Sequence, residues 1–163
     1  MPNLFIGDPA SHTGWAVFNI ETHRLVKSGC IYPKGDNKFL HLELKLKEIL
    51  KKYSPVKAYI EKLYTYPIMV TIINKRTGLP ERKYLSKQTQ SQGAYWQTVN
   101  KVISEFGIEC EYLETRKLAK KNVAKAIARN YIKKKKFTDH EAEAVVWGLY
   151  ILKRDYSLRI KEV

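Results

Sequence analysis

NLFIGDPASHTGWAVFNI, residues 3–20, is the stretch on which the fold turns. Residues 3–8 read as a short buried strand, apolar and β-capable through Leu4, Phe5 and Ile6, and terminated by Gly7, Asp8 and Pro9. A turn of small residues follows, and a second apolar run extends from Gly14 to Ile20. After turn-forming Glu21, Thr22 and His23, the run RLVKSGCIY (24–32) reads as one more strand. Connections this short join neighbours, so the chain is expected to open with three antiparallel strands.

Outward from that opening, the period changes. Residues 38–53 set Phe39, Leu42, Leu46, Ile49 and Leu50 at helical spacing, with Lys and Glu between them. VKAYIEKL (56–63) predicts a strand with Val56, Ala58 and Ile60 as its apolar set. Residues 64–87 are the least regular, with Pro67, Gly78 and Pro80 among the basic Lys75, Arg76, Arg82, Lys83 and Lys87. A connection of that length serves binding or dimerisation, or is disordered. A helix returns from Ser86 to Phe106, with Trp96, Val99, Val102, Ile103 and Phe106 on one side. IECEYLE (108–114) predicts a strand, and a basic helix near 117–131 and a last helix near 139–153 complete the order βββ-α-β-α-β-α-α. That order is not the pattern of a doubly wound nucleotide-binding domain. It is similar to the RNase H-like architecture, an α/β fold with a mixed five-stranded sheet flanked by helices, here as one domain over 1–163.

Composition narrows the partners. Thirty Lys and Arg against sixteen Asp and Glu give a formal net charge of +14. An excess of that size calls for a polyanion. Ten of these cations lie in RKLAKKNVAKAIARNYIKKKK (116–136), which holds no acid; a solvated helix face would look the same. Eleven Tyr and three Trp add flat surfaces that can stack on unpaired bases. Cys30 and Cys110 stand far apart without a CxxC, which argues against structural zinc and for a reduced, intracellular setting. The start lacks the long apolar core of a signal peptide, and no run reaches membrane-span length, so a soluble cytoplasmic protein is expected.

Three acids fall where element ends can bring them together: Asp8 closing the first strand, Glu61 within AYIEKLY, and Glu143 in TDHEAEAVVWGLYIL. His140 precedes Glu143 by three positions and shares its helix face. Carboxylates gathered at a sheet edge repel one another unless a divalent cation neutralises them, and Mg²⁺ prefers oxygen ligands. Each residue also has a plainer reading. Asp8 before Pro9 suits a turn, Glu61 can face solvent on an alternating strand, and His140 can serve the helix start. Thr138 and Glu141 form a T-x-x-E capping box. Asp139 suits the helix dipole and is a lesser metal-site candidate.

GDPASHTGWAVF, YIEKLY and DHEAEAVVWGLYIL, in this order, resemble the three motifs of the RuvC-like Holliday junction resolvases, especially their compact phage and viral members. The resemblance spans positions 7 to 153. It implies Mg²⁺ or Mn²⁺, two ions per active site, with Asp8 bridging both, Glu61 on one and Glu143 completing the cluster. His140 would bind metal or handle the proton of the attacking water. It implies further a homodimer that nicks opposing strands of a four-way junction or other branched DNA, leaving 5′-phosphate and 3′-hydroxyl ends. Glu143 departs from the Asp usual at the last position, and the basic block lacks the Gly-rich stretch of many bacterial members. Lys117, Lys120, Lys121 and Lys125 are expected to grip phosphates, with Lys75, Arg76, Arg82 and Lys83 from the long connection. Tyr64, Tyr66 and Tyr84 are expected to stack on unpaired bases, and the helix bearing Trp96 is a candidate dimer surface. An RNase H-type nuclease for RNA–DNA hybrids and a catalytically silent nucleic-acid-binding module are the competing readings.

Overall fold

The computed structural model describes residues 2–62, 69–84, 86–114 and 121–156, with backbone alone at 69–70, 83–84, 86–92 and 121. Three strands, β1 (Asn3–Asp8), β2 (Thr13–Asn19) and β3 (Leu25–Ile31), pair antiparallel in the expected order. Helix α1 (Lys38–Tyr53) leads into β4 (Pro55–Glu61), which lies parallel to β1. Helix α2 (Ser86–Glu105) leads into β7 (Glu109–Leu113), parallel to β4, and the sheet order is β3-β2-β1-β4-β7. Helices α3 (Lys121–Ala128) and α4 (Asp139–Ile151), then a π-helical segment (Leu152–Tyr156), complete the described chain. The expected mixed five-stranded sheet flanked by helices is present.

Strand alternation divides the core in two. Leu4, Ile6, Phe18 and Tyr59 face α4 and α3. Phe5, Val17, Ala58 and Ile60 face the buried Leu42, Leu46 and Leu50 of α1 and Val99, Val102 and Ile103 of α2. Val56, expected among the apolar inward set, is 57% exposed. The pairing of β1 with β4 is irregular between Asn3 and Leu4, so Val56 is skipped in the register and turns outward. Helix α1 is stopped locally: Ser54 takes a left-handed φ of 43° and its N–H closes on Leu50 O at 2.9 Å, and Pro55 cannot continue the helix.

Residues 69–84 correct the irregular reading. β5 (Met69–Ile73) and β6 (Pro80–Tyr84) form an antiparallel ribbon of their own. The β-branched run in β5 favours a strand. Gly78, at φ 68°, lets the chain reverse, while Asn74 Oδ1 accepts from Arg76 N at 2.8 Å and its amide donates to Glu81 at 2.6 Å.

Cys30 and Cys110 lie on the two opposite edge strands, four strand spacings or roughly 19 Å apart. No bond can join them. Burial, with Glu111 beside it, pushes the Cys110 thiol up to about 11. At neutral pH it is therefore protonated, and we expect iodoacetamide to modify Cys110 in the folded protein more slowly than in urea, by at least about tenfold, as read by peptide mass spectrometry. Equal rates would contradict a buried Cys110.

Candidate metal centre

Asp8 continues the inward row of Leu4 and Ile6 on β1 and is 2% exposed. The loop behind it is closed by Thr13, whose hydroxyl donates to Ala10 O at 2.8 Å. Helix α4 delivers the other groups. Thr138 caps it, with Oγ1 accepting from Glu141 N at 3.1 Å, so the helix starts sharply and His140 sits in its first turn. Gly14 on β2 makes this placement possible, because a Cβ there would run into the carbonyl of His140 and come within 2.7 Å of Glu141 N. Bare backbone against backbone brings α4 down onto the strand beside Asp8.

His140 Nδ1 lies 2.6 Å from Asp8 Oδ2. An ionised carboxylate only accepts, so Nδ1 carries the proton in that contact and a neutral ring keeps its lone pair on Nε2. Asp8, His140 and Glu143 each present a ligand atom, all within 4.8 Å of one another. That group, among the described residues, does not include Glu61. Glu61 nevertheless stands close. It follows Tyr59 on the α4-facing row of β4, one position past the Gly7–Ile60 pair. Its backbone therefore neighbours that of Asp8 at about 5 Å, the spacing of adjacent strands. The Glu61 carbonyl accepts from the Trp96 indole N–H at 2.8 Å, which fixes the end of β4. Trp96, whose helix is the candidate dimer surface, is half-buried and packs against Tyr112.

Asp139 is not one of the three in that group and pairs with Lys125 at 2.7 Å, tying α3 to α4. Lys75 and Arg76 are exposed in the turn of the β5–β6 ribbon, and Arg82 is exposed on β6. Lys117, Lys120, Tyr64 and Tyr66 lie outside the described residues, as do the side chains of Lys83, Tyr84 and Lys121.

Glu141 does more than its place in a capping box suggests. Its carboxylate, 4% exposed, takes Ser28 Oγ at 2.8 Å and Lys134 Nζ at 3.0 Å. No local signal announces a meeting of positions 28, 134 and 141; the T-x-x-E pattern marks only the helix start. Lys134→Met removes the cation and leaves this buried carboxylate to the Ser28 hydroxyl, and we expect a loss of about 1–3 kcal/mol, visible as a lower urea midpoint. Lys134→Arg should restore most of it, and an unchanged midpoint in the Met variant would show that the pair contributes nothing.

These elements, in this order and pairing, define an RNase H-like α/β fold. No protein-family model and no curated protein matches the chain. Solved structures do. Thermus thermophilus RuvC in complex with a Holliday junction substrate is 16% identical, with a TM-score of 0.67 over 98% of this chain and 96% of that one. A second Thermus thermophilus RuvC structure gives 16% identity and a TM-score of 0.62 over the same shares. The likeness establishes the RuvC-like fold. Both structures are bacterial, and neither represents the compact phage or viral type.

Proposed function

We propose that this chain is a divalent-metal-dependent endodeoxyribonuclease that resolves four-way junctions and other branched DNA. One observation carries the reading: the buried Asp8 converges with the half-buried His140 and Glu143 within 4.8 Å at the end of the sheet, with Glu61 ending the adjoining strand. Convergent carboxylates cost electrostatic repulsion, which the fold tolerates where a cation offsets it. The donor set fits Mg²⁺ or Mn²⁺ because carboxylate oxygens dominate it. Asp8, Glu143, His140 and, by side-chain rotation, Glu61 would hold the metal, two ions per site. When bound, such ions lower the pKa of water and stabilise the leaving 3′ oxygen.

The protein's own groups have separate tasks. Asp8, anchored at the strand end, fixes the position against which the scissile phosphate is set. His140, oriented by Asp8 through Nδ1, offers Nε2 to a metal or to the proton of the attacking water. Trp96 positions the end of β4, and so Glu61. The products would carry 5′-phosphate and 3′-hydroxyl ends. Lys75, Arg76 and Arg82, with Lys83, Lys117, Lys120, Lys121 and Lys125, would contact phosphates, Lys125 exchanging Asp139 for DNA. A homodimer would match the approximate two-fold symmetry of a junction. The phage or viral type rests on the motifs alone, as does an intracellular location on composition; among the described residues no helix is long and apolar enough to cross a membrane.

Labelled four-way junction, linear duplex and RNA–DNA hybrid, each with Mg²⁺ and with EDTA, test the proposal. We expect symmetric, ligatable nicks near the crossover of the junction, with Mg²⁺ only. Cleavage of the hybrid alone would assign an RNase H-type activity instead, and binding without cleavage under any metal would assign a silent module.

A further inference from the structure

β3 is an outer strand of the main sheet, and the segment between α3 and α4 runs beside its first half. Between them lies an open groove of about 260 Å³, lined by Leu25–Ser28 on one side and Tyr131–Lys134 on the other. It is open, and its volume falls below the ~300–1,000 Å³ of enclosed small-molecule sites. Lys133 on its wall and Lys135 and Lys136 just beyond are exposed, and no ion pair engages them among the described residues. Lys134 is different, since the buried Glu141 holds it in place. That pair neutralises the acid nearest the groove and fixes the segment against β3. Tyr131, 46% exposed, adds a flat apolar surface beside the cations.

The groove has a defined place relative to Asp8. Asp8 pairs with Gly14, and Gly14 with Cys30, so Cys30 stands level with Asp8 two strands away. The groove starts at Ser28 and ends at Leu25. With strands about 4.8 Å apart and about 3.3 Å of rise per residue, it spans roughly 12–19 Å from Asp8. At about 3.4 Å of axial rise per nucleotide, and up to about twice that along the helical path of the backbone, that is roughly two to six nucleotides from the cut.

We propose that this groove holds the sugar–phosphate backbone of one DNA arm roughly two to six nucleotides from the scissile phosphate, with Lys133, Lys135 and Lys136 as its phosphate contacts. The proposal rests on the nuclease reading and deepens it: the arm is gripped on the β3 side of the metal centre, independently of the β5–β6 ribbon. A charged row without a converging set of hydrogen-bond partners reads backbone and not base sequence.

The test replaces Lys133, Lys135 and Lys136 together by Gln and leaves Lys134 in place. A control replaces the exposed Lys38, Lys51 and Lys52 of α1 by Gln, removing the same charge elsewhere. Junction binding is measured against salt with EDTA present. The groove variant should lower the slope of log K against log salt by about two to three, at about 0.9 for each phosphate no longer neutralised. The control should lower it by less than about one. Ethylation of phosphates roughly two to six nucleotides from the cut should interfere with binding of the unaltered protein and not of the groove variant. A slope equal to the control's, or unchanged interference, overturns the groove while cleavage by the unaltered protein still upholds the nuclease. Competition for the groove by poly-glutamate more strongly than by DNA of equal charge would overturn DNA as its occupant. An unaltered protein that cuts no substrate overturns the nuclease reading, whatever the slopes.

Discussion

Asp8→Asn is expected to lower junction cleavage with Mg²⁺ by at least about 10³-fold, some 4 kcal/mol of transition-state stabilisation, while junction affinity stays within about threefold. Asn has the same shape, and its side-chain oxygen can still accept from His140 Nδ1, so the local packing survives. The negative charge does not. Asp8 is the buried member of the group, held on a strand end and unable to be replaced by a neighbour's rotation. Single-turnover cleavage and gel-shift affinity at matched salt separate the two effects. Because removing one of several close carboxylates relieves repulsion, the melting temperature should hold or rise. A variant that still cuts at a tenth of the normal rate would remove Asp8 from the centre of the chemistry.

Gly14→Ala should be the most damaging small substitution. Its added methyl meets backbone on the α4 side, the His140 carbonyl and Glu141 N, and backbone has no rotamer to yield. Either β2 or the start of α4 must move. The expected cost is about 3 kcal/mol, at the upper end for overpacking, read from the urea midpoint. Function should fail beyond stability. Displacing the first turn of α4 carries His140 from Asp8, so cleavage by the folded fraction should fall at least about tenfold, and the Mg²⁺ requirement should rise. An Ala variant with unchanged midpoint and activity would mean that the close approach of β2 and α4 is dispensable.

The legible parts of this fold are those with a period or an apolar run. The Leu42, Leu46 and Leu50 row marks α1, because burial on one face imposes a helical period, and β1 and β2, buried on both faces, show as unbroken apolar runs. The β5–β6 ribbon is illegible for the opposite reason. It stands outside the main sheet, and Ile72, Ile73 and Leu79 are exposed, so no core enforces alternation there. Among the site residues, Asp8, His140 and Glu143 can be picked out because acids at element ends invite the question of what neutralises them. The proximity of Glu61 follows from strand parity once the parallel register is known. Gly14 can be read as a strand opener, but its contact with α4 depends on how a helix more than a hundred positions later is laid down. The Ser28, Lys134 and Glu141 cluster is hidden for the same reason.

The pairing of His140 with Asp8 joins positions 132 apart in the chain. Synthesis supplies Asp8 well before α4, so a growing polypeptide can complete the β1–β3 hairpins and still lack the Asp8, His140 and Glu143 group. The group thus forms in one step, when α4 docks, and a chain cut anywhere between the two would lack it until its pieces reassociate. On the nuclease reading, cutting would therefore wait until α4 has been made and docked.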